Sequence, residues 1–441
     1  MSEVVTSFVL ERALLPDGVR SDVRVEIADG RFASVTPDAS PAGERLAGLT
    51  IPGLANTHSH AFHRALRGRT QRERGSFWTW RDQMYSVAER LDPDTYLALA
   101  TATFREMVAT GITGLGEFHY LHHQPDGRQY DEPNAMGLAL IEAARVAGLR
   151  ITLLDTLYLS SGFGAPPQGA QVRYDDGSAD AWAERVSGLG GTDSALVAGA
   201  LHSVRALPAD PASALGPLAG WADGRPLHVH LSEQVAENDG CLAAYGVTPA
   251  RLLADHGLLG PMTSAVHATH LTDDDVALLG SARSFVSFCP TTERDLGDGV
   301  GPSRRLHDAG ARLTLGSDSH AVVDLFEEMR AVELDERLVT QQRGHWQAAE
   351  LVHAATVAGH ASLGWDDAGA IAVGRRADLV TLDTASPRTA GTGADEHTVV
   401  FAATGADVVQ TVVDGRVVFR QGDREQVGRD LADAIGKVWA S

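Results

Sequence analysis

LANTHSH (54–60) starts apolar and ends in two histidines, His58 and His60. Alternate residues of a strand point to one side, so both imidazoles can turn towards one ion. Seven runs downstream are built alike: TGITGLGEF (110–118), RITLLDTLYL (150–159), ALVAGALHSV (195–204), PLHVHLSE (226–233), SAVHATHL (264–271), SFVSFCPTT (284–292) and RLTLGSDS (312–319). In nearly every run a His, Glu, Asp or Arg falls at the C-terminal end. Between the runs lie segments such as YLALATATFREMVA and NAMGLALIEAARVAG, apolar at helical spacing. Eight strand-like runs alternating with helices over 52–365 predict an α/β fold, a (β/α)8 TIM-type barrel, with its site at the C-terminal strand ends. A doubly wound sheet is the alternative, but no GxGxxG follows the first strand.

Working outward, 1–51 and 366–441 look like one kind of material. SFVLERALL turns at Pro16-Asp17-Gly18 into DVRVEIADGRFASVTP, where Asp29-Gly30 is a hairpin signal. Near the other end, AIAVGRRADLVTLD, TVVFAAT and DVVQTVVDGRVVFRQG also read as short β segments, the last turning at Asp414-Gly415. Both ends are therefore expected to form one small composite β domain, closed by a terminal helix over about 424–440.

Composition narrows the function. The 441 residues hold 37 basic and 58 acidic side chains, a formal charge of −21, which argues against a nucleic-acid or anionic-membrane partner. A single lysine, Lys437, lies near the C-terminus, a poor place for Schiff-base, P-loop or carbamylated-lysine chemistry. Two cysteines, Cys241 and Cys289, fit a reducing compartment. No basic segment precedes an apolar run at the start, and no stretch reaches the roughly 18 apolar residues of a membrane span. The expected setting is cytoplasmic.

His230 ends the fifth run, His267 lies in the sixth and Asp318 ends the eighth. Three imidazoles and a carboxylate suit one divalent ion, zinc best, with iron(II) or manganese as alternatives. The expected ligands are His58, His60, His230 and Asp318. Such an ion acidifies a water to a pKa of about 7. His228 shares a face with His230, and the one nearer the strand end is favoured. Glu233, three residues past His230, stands where a proton shuttle is needed. His267 and His270 cannot both face inward; His267 is assigned to the attacking water or its oxyanion, His270 to structure. The fourth run offers no bridging carboxylate, so one metal is expected rather than two.

IPGLANTHSH, HVHLSE, AVHATHL and LGSDS resemble the amidohydrolase superfamily in its mononuclear deaminase branch, over nearly the whole chain. HSHAFHRAL, SFWTWRDQMY and GEFHYLHH narrow the resemblance to the formimidoylglutamate deiminase family. The resemblance implies a cytoplasmic homodimer of histidine breakdown that converts N-formimino-L-glutamate to N-formyl-L-glutamate and ammonia. His63 stands where similar enzymes can carry a glutamine that orients substrate.

That substrate carries two carboxylates, and arginine grips a carboxylate through two parallel hydrogen bonds. Arg205 lies just past the fourth run, three residues after His202, and Arg81 sits beside Phe77, Trp78, Trp80 and Tyr85 in the loop after the first. Tyr120 follows the second run. Arg81, Tyr120, His202, Arg205 and His63 are the expected substrate contacts, and the resemblance places contacts at the same positions. Arg64, Arg67, Arg69, Arg72 and Arg74 read as a solvated basic loop that steers an anion inward. The expected reaction gives a proton of the water to Asp318 or Glu233, lets Glu233 protonate the leaving nitrogen, and has His267 stabilise the tetrahedral centre. The alternatives are a deaminase of a purine or pyrimidine, which should show amides and aromatics in place of the arginines, and a non-catalytic metal-binding barrel.

Overall fold

The computed structural model describes residues 6–39, 43–71 and 77–440, and of Phe77 and Trp78 only the backbone. The first four strands are β1 (Thr6–Leu15), β2 (Gly18–Ala28), β3 (Arg31–Thr36) and β4 (Glu44–Pro52). Asp29 and Gly30 take left-handed backbone at φ 50° and 73°, the geometry a two-residue hairpin needs, and Asp414 and Gly415 repeat it at 47° and 75°. The chain then enters the barrel strands β5 (Leu54–Ser59), β6 (Ile112–His119), β7 (Arg150–Leu157), β8 (Ala195–Leu201), β9 (Leu227–Leu231), β10 (Thr263–His267), β11 (Phe285–Phe288) and β12 (Arg312–Leu315). It returns through β13 (Leu379–Leu382), β14 (Val408–Val413) and β15 (Arg416–Arg420).

The two sheets divide as the sequence suggests. β5 to β12 run parallel in chain order, and strands such as β5, β6 and β7 are buried along their whole length, as a parallel sheet covered on both faces requires. A Ser59–Asp318 bridge joins the first barrel strand to the loop after the last, with the Ser317 and Asp318 amides donating to the His58 carbonyl at 3.1 and 3.0 Å. The second sheet has the order β15-β14-β13-β4-β1-β2-β3, four strands from before the barrel and three from after it. Arg150, fully buried at the start of β7, ties the two sheets through ion pairs to Asp378 and to Asp414, the latter at 3.0 Å.

Helices cover the barrel where the apolar spacing predicts them. Pro93–Ala109 starts at the Asp92 cap, with Thr95 completing a capping box, and Ala135–Ala147 stops at left-handed Gly148. The terminal helix, Arg424–Ala440, packs on Pro93–Ala109. One segment departs from expectation. TVVFAAT, read above as β, lies largely in the helix Glu396–Phe401, because the Asp395 carboxylate caps the His397 and Thr398 amides and Val399 and Val400 bury their side chains from a helical turn. Local capping outweighs the β preference of two valines.

Candidate metal centre and cleft

At or just past the ends of β9, β10 and β12 the backbone turns. His267, Ala268, Asp318 and His320 have φ of 68°, 48°, 39° and 58°, and Ser232, just before Glu233, has 52°. Left-handed backbone is costly for residues with a side chain, and here it clusters where side chains must leave the strand direction.

Four side chains meet at one point. His58 Nε2 and His60 Nε2 lie 3.3 and 3.2 Å from Asp318 Oδ1, and His230 Nε2 lies 3.0 Å from His58 Nε2. The other ring nitrogens of His60 and His230 donate to the Phe118 and His202 carbonyls at 3.0 and 2.8 Å. That fixes both tautomers and turns the Nε2 lone pairs inward. Burial pushes His58 down to about 3 and holds His230 well below the usual histidine range, so these imidazoles are neutral. His58 Nδ1 is buried without a hydrogen-bond partner, so its Nε2 either donates to His230 or, with the proton on Nδ1, offers a third inward lone pair beside those of His60 and His230. The donor set therefore fits a divalent ion.

Around this point stand the residues expected to do chemistry. His267 Nε2 lies 3.8 Å from Asp318 Oδ2 and 3.9 Å from Glu233 Oε1, and its Nδ1 lies 3.3 Å from Glu293 Oε1. Burial works against its charge, but Glu233, Glu293 and Asp318 together hold the ring up at about 10. Asp318, which burial alone would raise, is held well below the usual carboxylate range by His58 and His60. His228 lies deeper in the barrel and meets the Ser362 carbonyl, while His270 meets the Asp298 carbonyl at 2.8 Å; neither joins the cluster.

A cleft opens above the cluster, lined in part by His60, His230, Glu233, His267 and Asp318. It is also lined by all five residues expected to touch substrate. His63 Nε2 and the Tyr120 hydroxyl are 3.0 Å apart. Arg205 lies 3.3 Å from Glu233 Oε2 and 3.7 Å from Glu237 Oε2, and Arg81 sits over the Tyr85 ring at 5.6 Å. His202 fills the space between His230 and Tyr158.

The basic loop is a correction. Arg64 and Arg67 are both spent on Glu106 at 2.6 Å, and Arg69 stacks on Trp439. A carboxylate and an indole within reach outcompete solvent for these guanidiniums; Arg72 and Arg74 lie outside the described residues. Sequence reasoning also passed over Tyr158, Gln171 and Tyr174, which line the cleft, and Glu237 and Glu293, which buttress Arg205 and His267. Tyr158 closes a strand-like run, as the other site residues do, and was open to the same reading. Gln171 and Tyr174 sit in an aperiodic segment with no local signal.

A second histidine–carboxylate group, His119, His122 and Asp155, is buried beside the barrel. Both Asp155 oxygens are taken by Arg185, at 2.8 and 3.0 Å, so a guanidinium already supplies the positive charge. Cys241 and Cys289 are free and buried. Among the described residues no helix is long and apolar enough to cross a membrane.

Comparison with known proteins agrees with this geometry. The amidohydrolase family model matches residues 49–418, and the model described as "Formimidoylglutamate deiminase HutF, N-terminal domain" matches 7–47. The chain is 36% identical to the formimidoylglutamate deiminase of Pseudomonas aeruginosa, over 98% of this chain and all of that one. It is 29% identical to the 5'-deoxyadenosine deaminase of Methanothermobacter thermautotrophicus, over 91% of this chain and 90% of the other. Among solved structures, an amidohydrolase from Brucella melitensis superposes with a TM-score of 0.89 at 31% identity, over 98% of this chain and all of that one. These likenesses set aside the reading as a non-catalytic barrel. The chain belongs to the amidohydrolase family, stands with the formimidoylglutamate deiminases within it, and is a hydrolase acting on C–N bonds.

Proposed function

We propose that this enzyme hydrolyses N-formimino-L-glutamate to N-formyl-L-glutamate and ammonia, in histidine degradation. The observation that carries the reading is the pairing, in one cleft, of a three-histidine, one-aspartate cluster with two guanidiniums, Arg81 and Arg205. Two fixed cations suit a ligand with two carboxylates. The relative in Pseudomonas aeruginosa bears the name of this activity. His58, His60, His230 and Asp318 would hold one divalent ion, zinc best by donor chemistry, with iron or manganese as alternatives. Bound there, the ion supplies the positive charge that acidifies a water and polarises the formimino carbon.

The chain's own groups then divide the work. Arg205, beside Glu233, grips the nearer carboxylate, and Arg81, beside Tyr85, the farther one. Tyr120, His63 and His202 orient the chain between them. A water oxygen bonds to the formimino carbon as its proton passes to Glu233 or Asp318, and Glu233 delivers a proton to the imino nitrogen. His267 donates to the oxygen of the tetrahedral centre. A second proton moves from that oxygen to the nitrogen, the C–N bond breaks, and ammonia leaves. A homodimer in the cytoplasm belongs to the same reading, which the two free thiols suit.

A nucleoside deaminase is the second reading, favoured by the 29% likeness to the 5'-deoxyadenosine enzyme. The test is ammonia release from N-formimino-L-glutamate, guanine and adenosine by the zinc-loaded protein. Release from the first alone, abolished in Arg205→Ala, is expected. Release only from a purine overturns the substrate and keeps the barrel chemistry.

A further inference from the structure

The far wall of the cleft carries three phenols, Tyr85, Tyr158 and Tyr174, around Gln171. Gln171 has its amide orientation set from behind, because its Oε1 accepts the Gln168 amide at 3.2 Å. Its Nε2 therefore faces the cleft side, donating to the Tyr158 oxygen at 2.8 Å and the Tyr85 oxygen at 3.1 Å. Each phenol accepts there and keeps its own hydrogen free to donate.

Tyr174 goes further. It is 1% exposed, and its hydroxyl is buried without a hydrogen-bond partner. A phenylalanine would fill the same space without leaving a polar atom dry, so an unmet hydroxyl on a cleft wall points to a ligand that meets it. Burial holds all three phenols above the usual tyrosine range, so they stay protonated. With Arg81 over the Tyr85 ring, the wall offers three O–H donors and one guanidinium, and among the described residues the carboxylates that line the cleft, Glu233 and Asp318, stand at the metal cluster instead. Donors alone, around a cation, make a receptor for an anion.

Ring contacts locate that anion relative to the chemistry. From the metal cluster the rings run His230 to His202 at 5.2 Å, His202 to Tyr158 at 4.8 Å, and Tyr158 to Tyr174 at 5.3 Å. A shorter path runs from His60 to Tyr120 at 5.3 Å and from Tyr120 to Tyr174 at 5.0 Å, and on both paths at least one ring separates Tyr174 from the metal cluster. We propose that Tyr174, with Tyr85 and Tyr158, donates hydrogen bonds to the substrate carboxylate farthest from the His/Asp cluster and sets the requirement for a second carboxylate. This deepens the reading of the substrate as N-formimino-L-glutamate and rests on it.

The test is Tyr174→Phe in the zinc-loaded enzyme, read four ways. Thermal unfolding should be unchanged or raised, because an unmet hydroxyl is removed. Calorimetric binding of glutarate should weaken by about ten- to hundredfold, the range of a hydrogen bond to a charged group. Binding of N-formyl-L-norvaline, which has a methyl group where the glutamate has its side-chain carboxylate, should not change. KM for N-formimino-L-glutamate should rise in step with the glutarate constant while kcat holds within about twofold, the pattern of uniform binding. Equal affinity for glutarate in both proteins overturns the receptor, as does an equal loss for glutarate and the norvaline compound, or a fall in melting temperature. If the wild-type protein releases no ammonia from N-formimino-L-glutamate, the substrate reading falls, and glutarate binding still decides the receptor.

Discussion

Glu233 shows what a single residue contributes beyond its charge. Its Oε2 is 3.3 Å from Arg205 and its Oε1 3.9 Å from His267, so it stands between the expected carboxylate grip and the reacting centre. Glu233→Gln keeps size and hydrogen bonding but cannot carry a proton. Metal content by elemental analysis is expected to stay at the wild-type level while kcat falls by about 10²–10⁴, the usual worth of a general acid–base group. Unchanged kcat would remove Glu233 from the reaction. Glu117 makes a different case. Its oxygens accept from the Ser59 hydroxyl and the Ala61 amide, both at 2.6 Å, and so hold the backbone that carries His58 and His60. Burial pushes its carboxyl up to about 8, against those two hydrogen bonds. The sign follows: a folded pKa above the unfolded 4.5 means the native state binds the extra proton. The stabilisation is complete below about 4.5 and is lost as pH rises through about 8. Glu117→Gln should flatten that part of the melting-temperature profile, and a variant whose profile still parallels the wild type would refute the assignment. His58, His60 and Glu233 were legible because each sits at a strand end with regular spacing. Glu117 sits at a strand end too, but its role depends on a partner 56 residues away.

At the scale of elements, the eight runs were legible because alternating apolar strands and amphipathic helices leave few other ways to bury both faces of a parallel sheet. TVVFAAT was misread because a short apolar run does not distinguish strand from buried helix, and the decision fell to the Asp395 cap. The segment that carries Gln171, Arg173 and Tyr174 was illegible for another reason. It has no period, and its position is set by contacts made after it crosses the barrel mouth. Arg173 is the chief of these. Fully buried, it donates to the Ala88 and Leu91 carbonyls at the end of the helix Phe77–Glu89 and to the His123 carbonyl at 2.9 Å. A cation at a helix C-terminus is favourable in itself, and this one also joins the helix bearing Arg81 to the loop after β6. Arg173→Met leaves three carbonyls without that donor. The Ala88 carbonyl keeps the Leu91 amide at 3.4 Å, so two are left unmet, which should cost roughly 2 kcal/mol or more at about 1–3 kcal/mol for each buried group. Amide exchange in residues 77–91 should quicken, and KM should rise more than kcat falls. Exchange that quickens evenly over the whole chain would show Arg173 to be a general core residue rather than a tie for this helix.

For the whole molecule, the question is how a sheet built from both ends of the chain relates to a barrel built from the middle. The hairpin signals at Asp29-Gly30 and Asp414-Gly415 were legible, but the joint was not, since Arg150 looks in sequence like an ordinary polar residue opening a strand. In the fold it is fully buried and meets Asp378, ahead of β13, and Asp414, in the turn before β15. Asp378 also accepts the Asp414 amide at 3.0 Å, so one buried carboxylate holds both the guanidinium and the turn. Burial pulls the Arg150 guanidinium down to about 10, still charged at neutral pH. Arg150→Met would strand the Asp378 charge, and breaking a buried pair from one side typically costs about 3–5 kcal/mol. Adding Asp378→Asn removes the stranded charge and should recover much of that loss. Because the joint lies at the N-terminal ends of the strands, opposite the cluster of His58, His60, His230 and Asp318, kcat and KM of the folded variants should match the wild type. Denaturation of both variants, followed beside ammonia release, separates the two effects. A double variant as unstable as the single one would mean that packing of the Arg150 side chain, rather than its charge, holds the sheet to the barrel.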